Sequence, residues 1–396
     1  MSVISAPDIL RTRSAPSRVT NVELFFDLVF VFAVTQLSHL LLAHLDLAGA
    51  VQTGLLLVAV WWVWIYTSWV ANWLDPDKTL VRLLLFALML AGLIVSASIP
   101  KAFESNGLAF AGAYVFMQLA RSLFMLWALT GRNEANFRNF QRITAWLALS
   151  GAFWIAGGLA DADARLPIWA VAMLIEFISP SLGFWVPGLG RSTTADWDIE
   201  GGHMAERCGL FIIIALGESI LVTGATFAAL PWSMALLAGF GVAFVGSVAM
   251  WWLYFNIGSE RAAHRIRAST DPGRIGRVAY TYVHLLPVAG IIVAAVADEL
   301  ILKHPGGHTD ISTIAVVIGG PALYLSGTLL FKWVTAGWPP LSHLAGLSLL
   351  AAIVPLAPHV SVLSLGAAAG LVLVVIAAWE TISLRSRRAS AGEEHR

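Results

Sequence analysis

Segments of roughly 20 apolar residues recur along the whole chain, and that is the length a helix needs to cross a hydrocarbon layer about 30 Å thick. About twelve are legible, near 22–45, 49–72, 79–99, 107–130, 141–160, 166–186, 205–225, 231–257, 277–298, 311–333, 341–357 and 359–380. They predict an all-α integral membrane protein with the lipid bilayer as its solvent. Composition agrees: 12% of the 396 residues are charged, against about 25% in a soluble domain.

The basic residues orient the chain. Of 24 Lys and Arg residues, only Lys101, Arg165 and Lys303 fall in outer loops if the N-terminus is cytoplasmic, and Arg121 lies within a span. The others, among them Arg11, Arg13, Arg82, Arg142, Arg261, Arg277, Lys332 and Arg385, fall on the inner side. That bias follows the positive-inside rule and puts both termini in the cytoplasm. The first 20 residues are polar and basic and lack the apolar core of a cleavable signal. A single cysteine, Cys208, rules out an internal disulfide.

Two sets of six spans align in order. Glu23 opens the first span and Glu206 the seventh. Trp61, Trp62 and Tyr66 correspond to Trp251, Trp252 and Tyr254. "AGLIVSAS" at 91–98 corresponds to "AGIIVAAV" at 289–296. Six is even, so the halves run parallel, a plan that places a functional pathway at the interface between repeats. The expected organisation is a cytoplasmic segment 1–20, a first six-helix repeat 21–186, a cytoplasmic linker 187–204, a second repeat 205–384 and a disordered cytoplasmic tail 385–396.

Ionisable side chains inside spans are costly and are functional candidates by default. Glu23, Asp27, Arg121, Glu176, Glu206 and Glu218 qualify, with Arg207 at a boundary. On the first helix Glu23, Asp27, Ser38 and Thr35 fall within about 120° of one another, a polar stripe suited to other helices or water. Glu23 at a helix start also suits the helix dipole. Glu206 and Glu218 are separated by about 18 Å of helix, so Glu218 lies near mid-membrane, where it either bonds a neighbouring helix or carries a proton or cation. Gly217 and Gly224 lie within about 20° of the Glu206 face and would admit close helix packing. Arg121 matches Asp27 in depth, and a salt bridge to Asp27 or Glu23 is expected. Trp61, Trp62 and Trp64 fall near mid-membrane and suit wedge packing between helices, and His284 and His343 read as structural. The acids outnumber the bases within the spans, which favours handling H⁺ or a cation over an anion.

The chain carries no His-x-x-x-His, Gly-x-Ser-x-Gly, Walker or Cys-x-x-Cys pattern. His203 and Glu206 share a helix face but are too few for a zinc site. No enzyme, cofactor, metal centre or nucleic-acid surface is therefore expected, and no pattern sets an oligomeric state.

"ELFFDLVFVFAVTQLSHLL" at 23–41, "SIPKAF" at 98–103, "ARSLFMLWAL" at 120–129 and "ERCGLFIIIALGESI" at 206–220 resemble the bacterial low-temperature-requirement A (LtrA) family over about 18–380. The resemblance implies a bacterial inner-membrane location. It also implies that Glu23, Asp27, Arg121, Glu206, Arg207, Gly217 and Glu218 are signature polar positions. Where Lys101 stands, that family often has an acid. "FFDLVFVFAVTQL" at 25–37 is similar, more faintly, to the first helix of two-repeat six-helix potassium channels, which begins Arg-x-x-x-Phe-Ser-Asp. Here Asn21 replaces the Arg and Phe26 the Ser. Arg207-x-x-x-Phe211 keeps the Arg spacing in the seventh span but loses the Asp. That likeness implies that the first and seventh helices flank a pathway.

The expected function is a permease or channel-like protein for a small cation or proton-coupled solute, with Glu23 and Asp27 guarding the cytoplasmic side and Glu218 as a mid-membrane site. The alternative is a non-transporting scaffold or cold-adaptation factor in which the same acids clamp helices. A lipid-acting membrane enzyme comes third, since no nucleophile–base pair can be named.

Overall fold

The computed structural model describes residues 9–11, 18–193, 199–256, 265, 266, 269 and 271–393, with side chains to residue 383. Arg13, Arg261, the side chain of Arg385 and positions 194–198 of the expected linker lie outside the described residues. Long helices form at α1 Asn21–Ala43, α2 Leu47–Ala71, α3 Thr79–Ser98, α4 Gly107–Leu129, α5 Glu134–Leu159 and α6 Ala162–Ile178. They continue as α7 Gly201–Ala229, α8 Met234–Phe255, α9 Leu285–Lys303, α10 Ile311–Ala336, α11 Leu341–Ile353 and α12 Val362–Glu393. Among the described residues no strand forms. Ten of these helices, taken with their short extensions, are long and apolar enough to cross a membrane. The spans expected near 141–160 and 166–186 are not in that group. The first turns of α5 carry Glu134, Asn136, Arg138, Asn139, Gln141 and Arg142, and α6 has 17 residues interrupted by Pro167. The last helix runs to Glu393, so positions 385–393 are helical where the sequence suggested a disordered tail.

Helix starts follow local chemistry. Asp46, Asn133, Ser233 and Asp310 each accept a hydrogen bond from a first-turn N–H, satisfying donors that have no partner inside the helix. The chain divides into two compact units, Met1–Arg207 with Ile266–Arg277, and Cys208–Arg265 with Val278–Arg396. The division falls inside α7.

In the first unit α1 packs on α2 and α3, α4 on α3 and α5, and α5 on α6. Small residues set the close approaches, as expected where lipid-like surroundings leave packing to hold helices together. A Cβ on Gly158 would lie 3.1 Å from Leu108 Cα, and one on Gly157 2.5 Å from the Trp169 ring. Arg165, expected as an outer-loop charge, is buried. Its guanidinium donates to the carbonyls of Gly157, Ala102, Glu104 and Ala160 at 2.6–3.1 Å. It ties the α5–α6 turn to the α3–α4 turn by saturating exposed helix-end carbonyls.

The polarity of α1 runs opposite to that of a soluble helix. It buries Glu23, Phe26, Asp27, Phe30 and Ser38 and exposes Leu24, Phe25, Leu28 and Phe32. An apolar outer face with charges inside is the arrangement that lipid selects.

In the second unit the tightest pair is α9 with α10. A Cβ on Gly290 would meet Tyr324 N at 2.5 Å, one on Gly320 would meet Ala294 N at 2.8 Å, and one on Gly327 would meet Pro287 Cδ at 2.3 Å. The close approach expected at Gly217 and Gly224 is absent among the described residues, since a Cβ at either would meet nothing within 4 Å. The glycine seam lies on α9 and α10 instead. The α12 helix packs on α8 and on α11. The proposed correspondence between halves does not extend to burial: Trp61 and Trp62 are buried, whereas Trp251 and Trp252 are exposed.

Candidate functional site

The first unit gathers charge at the start of α1. Glu23 and Asp27 are one helical turn apart, and both are fully buried. Arg207, near the start of α7, lies across from them and reaches both. Its Nη2 donates to Asp27 Oδ1 at 2.7 Å, and its Nη1 lies 3.5 Å from Glu23 Oε1. Asp27 Oδ1 also accepts from Trp64 Nε1 at 2.8 Å, and the Arg207 guanidinium lies over the Trp64 ring, 5.6 Å from its centre. Trp64 is thus a carboxylate donor and a cation–π partner, a role beyond wedge packing. Asp27 Oδ2 and Arg207 Nε have no hydrogen-bond partner among the described residues.

Glu23 is held from three directions. Its Oε2 accepts from the Thr20 N–H at 2.8 Å and the Thr20 hydroxyl at 2.9 Å, the back-reaching half of a capping box. His203 Nε2 lies 2.8 Å from Oε1, and Arg11 Nη2 lies 3.1 Å from Oε2. Asn72 fixes the His203 tautomer. It donates to the Glu200 carbonyl and accepts from the Glu200 N–H, so its Nδ2 faces His203 Nδ1 at 3.3 Å. The ring then accepts at Nδ1 and donates from Nε2 to Glu23, an assignment made from the network. Arg11 arrives on the segment Ile9–Arg11, which is pinned to the end of α2. Arg11 N and Nε donate to Trp73 O and Leu74 O, and Asp75 N donates to Ile9 O.

A second centre in the same unit surrounds Glu176. Its Oε2 accepts from Tyr114 OH and Gln118 Nε2, both at 2.7 Å, and its Oε1 accepts from Ser150 Oγ at 2.8 Å and Trp154 Nε1 at 2.9 Å. Arg121 joins here rather than at Asp27, which corrects the expected pairing. It donates to Val63 O at 3.1 Å, to Thr67 Oγ1 at 2.9 Å and to Gln118 Oε1. Among the described residues no carboxylate lies within salt-bridge distance of Arg121. Gln118, with its amide between the two, relays Arg121 to Glu176.

Glu206 is exposed and accepts from Val19 N at 3.3 Å, so it stands apart from the buried centre that its neighbour Arg207 enters. Glu218 is buried in the second unit. That unit holds two clusters the sequence reading missed. Lys332 Nζ on α10 lies 2.6 and 2.9 Å from the Glu380 carboxylate on α12, with His343 Nδ1 3.3 Å from the same group. Asp298 on α9 accepts from Ser219 Oγ at 3.2 Å, and Ser219 Oγ lies 3.4 Å from Ser247 Oγ. Asp298 could have been flagged as an acid inside the apolar stretch 287–302. Lys332 and Glu380 are 48 positions apart, so local patterning could not join them. His284, read as structural, bonds Tyr254 OH at 2.9 Å.

Comparison with known proteins agrees with this membrane architecture. The family described as "Bacterial low temperature requirement A protein (LtrA)" matches residues 18–378. A protein of Rhizobium meliloti (strain 1021), "Uncharacterized protein RA0937", is 43% identical over 375 residues, covering 93% of this chain and 90% of that protein. No solved structure matches the chain.

Proposed function

The chain belongs to the bacterial low temperature requirement A (LtrA) family, and from that premise we propose that it is a permease or channel-like protein for a small cation or proton-coupled solute, and not an enzyme. In this reading about twelve helices cross the bacterial inner membrane as two parallel six-helix repeats, with both termini cytoplasmic. Glu23 and Asp27 guard the cytoplasmic side, and Glu218 serves as a mid-membrane protonation or cation site.

One observation carries the reading: Glu23, Asp27, Arg207 and His203 are buried together inside apolar helices. Joining helices does not require charge. Apolar side chains of similar volume hold buried contacts as well or better, without a desolvation cost of several kcal/mol per ion. Charges inside spans are the means by which membrane proteins handle ions and protons. Among the described residues Asp27 Oδ2 and Arg207 Nε have no hydrogen-bond partner, so not all of the donor and acceptor capacity of this centre is used in holding helices together.

The test is purified full-length protein in liposomes, assayed for K⁺, Na⁺ and H⁺ flux in wild type and Glu218→Gln. Flux lost in Glu218→Gln, with insertion unchanged, is the expected result. Absence of flux for all three ions in the wild type would overturn the reading. A tag after Ala389 should be reachable from the cytoplasmic side alone.

A second reading, a non-transporting scaffold, is favoured by the Glu176 centre. Four donors fill both of its oxygens, which is how a buried acid clamps helices. On that reading neither the wild type nor Glu218→Gln carries flux.

A further inference from the structure

Asp298 lies within the apolar stretch of the span Pro272–Lys303, yet it has no cationic partner. Its hydrogen-bond partner is Ser219, which donates to Oδ2, and no lysine, arginine or histidine lies within salt-bridge distance among the described residues. The next residue, Glu299, is engaged with Lys303 at 2.6 Å. Asp298 lines a cavity of about 40 Å³ between α8, α9, α10 and α12, room for one to three water-sized particles. The space exists because the helices meet there through small residues, Gly246, Ala297 and Gly366 among them.

Two further residues that line this cavity can offer an oxygen. Ser247 carries a hydroxyl, 3.4 Å from Ser219 Oγ. Pro321 sits inside α10 and has no N–H, so the carbonyl four residues earlier, at Val317, lacks its helical donor. Val317 and Pro321 both line the cavity. A carboxylate, a hydroxyl and a released backbone carbonyl are hard oxygen donors, the kind that bind alkali cations in broken membrane helices.

We propose that this cavity is a binding site for a monovalent alkali cation, Na⁺ first, held by Asp298, Ser247 and the Val317 carbonyl, with Ser219 positioning the carboxylate. Charge sets the valence. One carboxylate neutralises one positive charge, whereas a divalent ion would leave an uncompensated charge in an otherwise apolar cavity, which is strongly unfavourable. The proposal rests on reading the chain as a handler of small cations, but binding is measured separately from flux.

The experiment is equilibrium binding of ²²Na⁺ to the purified full-length chain in nanodiscs, with unlabelled Na⁺, Li⁺ and K⁺ as competitors. The expected result is saturable binding that weakens at least tenfold in Asp298→Asn and severalfold in Ser247→Ala. It also weakens severalfold in Pro321→Ala, which returns an N–H to the Val317 carbonyl. Glu299→Gln, outside the cavity, binds like the wild type. No saturable alkali-ion binding in the wild type, or equal binding in Asp298→Asn, would overturn the site. If Asp298→Asn does not fold, Ser247→Ala and Pro321→Ala decide, and wild-type affinity in both overturns it. Binding without flux upholds the site and removes the permease reading. Flux with equal binding in Asp298→Asn removes the site and leaves that reading standing.

Discussion

Arg207→Met tests which buried cation holds the start of α1 together. Methionine keeps much of the length of the side chain and removes its charge. Asp27 would then retain the Trp64 indole at 2.8 Å and lose the guanidinium at 2.7 Å. Glu23 would lose a contact of 3.5 Å but keep His203, Arg11 and Thr20. The damage therefore concentrates on Asp27. Breaking a buried ion pair from one side costs about 3–5 kcal/mol, because the remaining charge is left without a counterion. Adding Asp27→Asn removes that stranded charge, so the double variant should recover about 2–4 kcal/mol of the loss, a coupling typical of residues in one ion-pair network. Arg121→Met supplies the contrast. Its partners are a carbonyl, a hydroxyl and an amide, so Asp27→Asn should give no recovery in that background. The assay is reversible unfolding in mixed micelles across the two double-mutant cycles. Additive losses for Arg207 with Asp27, or coupling between Arg121 and Asp27, would refute the assignment.

Glu176→Gln should destabilise the first unit by about 2–4 kcal/mol, because the amide cannot accept from four donors and a buried donor left unmade costs about 1–3 kcal/mol; unfolding in the same micelles reads this, with Glu134→Gln on the surface as control. Gly290→Ala should disrupt the second unit, its new Cβ meeting Tyr324 N at 2.5 Å, whereas Gly217→Ala meets nothing within 4 Å and should be tolerated. Thermal aggregation of detergent-solubilised protein separates the two. Asp310 caps α10 by accepting from Thr313 N at 2.7 Å, and hydrogen bonds from the Thr313 side chain and N–H together hold its carboxyl below the usual carboxylate range. Its contribution is therefore fully present above the ordinary aspartate value and is lost as pH falls through the lower folded value. The hydrogen-exchange protection factor at the start of α10, referred to the intrinsic rate at each pH, should fall at acid pH in the wild type. In Asp310→Ala it should already be low at neutral pH, with a cap loss of about 0.5–2 kcal/mol.

Much of the fold was legible because membrane spans are local objects. A run of about 20 apolar residues specifies a helix with no reference to the rest of the chain. The helices fall where those runs do, and their caps at Asp46, Asn133 and Asp310 are short-range chemistry. The two spans that fall short show the limit of that signal. The α5 helix begins in a polar stretch from Glu134 to Arg142, and α6 is short and carries Pro167. The polar stripe on α1 also identified Glu23 and Asp27 as buried, since such a stripe must turn away from lipid, whereas Glu206, expected within a span, is exposed.

Partners were another matter. Depth along a helix matched Asp27 to Arg121, but depth is a single coordinate, and a pair also requires facing sides of adjacent helices. The structure gives Asp27 to Arg207, 180 positions away, and turns Arg121 toward Val63, Thr67 and Gln118. Trp64 appeared in the sequence as bulk, and only the packing of α2 against α1 aims its N–H at a carboxylate. Glycine spacing suggested a seam along α7, yet backbone approach depends on which neighbour arrives, and the seam formed between α9 and α10. The sequence by itself determined that this chain lives in lipid and that the acids of α1 turn inward there. The tertiary structure decided which charge neutralises which, and left Asp298 facing a cavity without a counterion. Burial is a one-body property of a residue and its local pattern, whereas charge pairing is a two-body property of helices that meet only after folding.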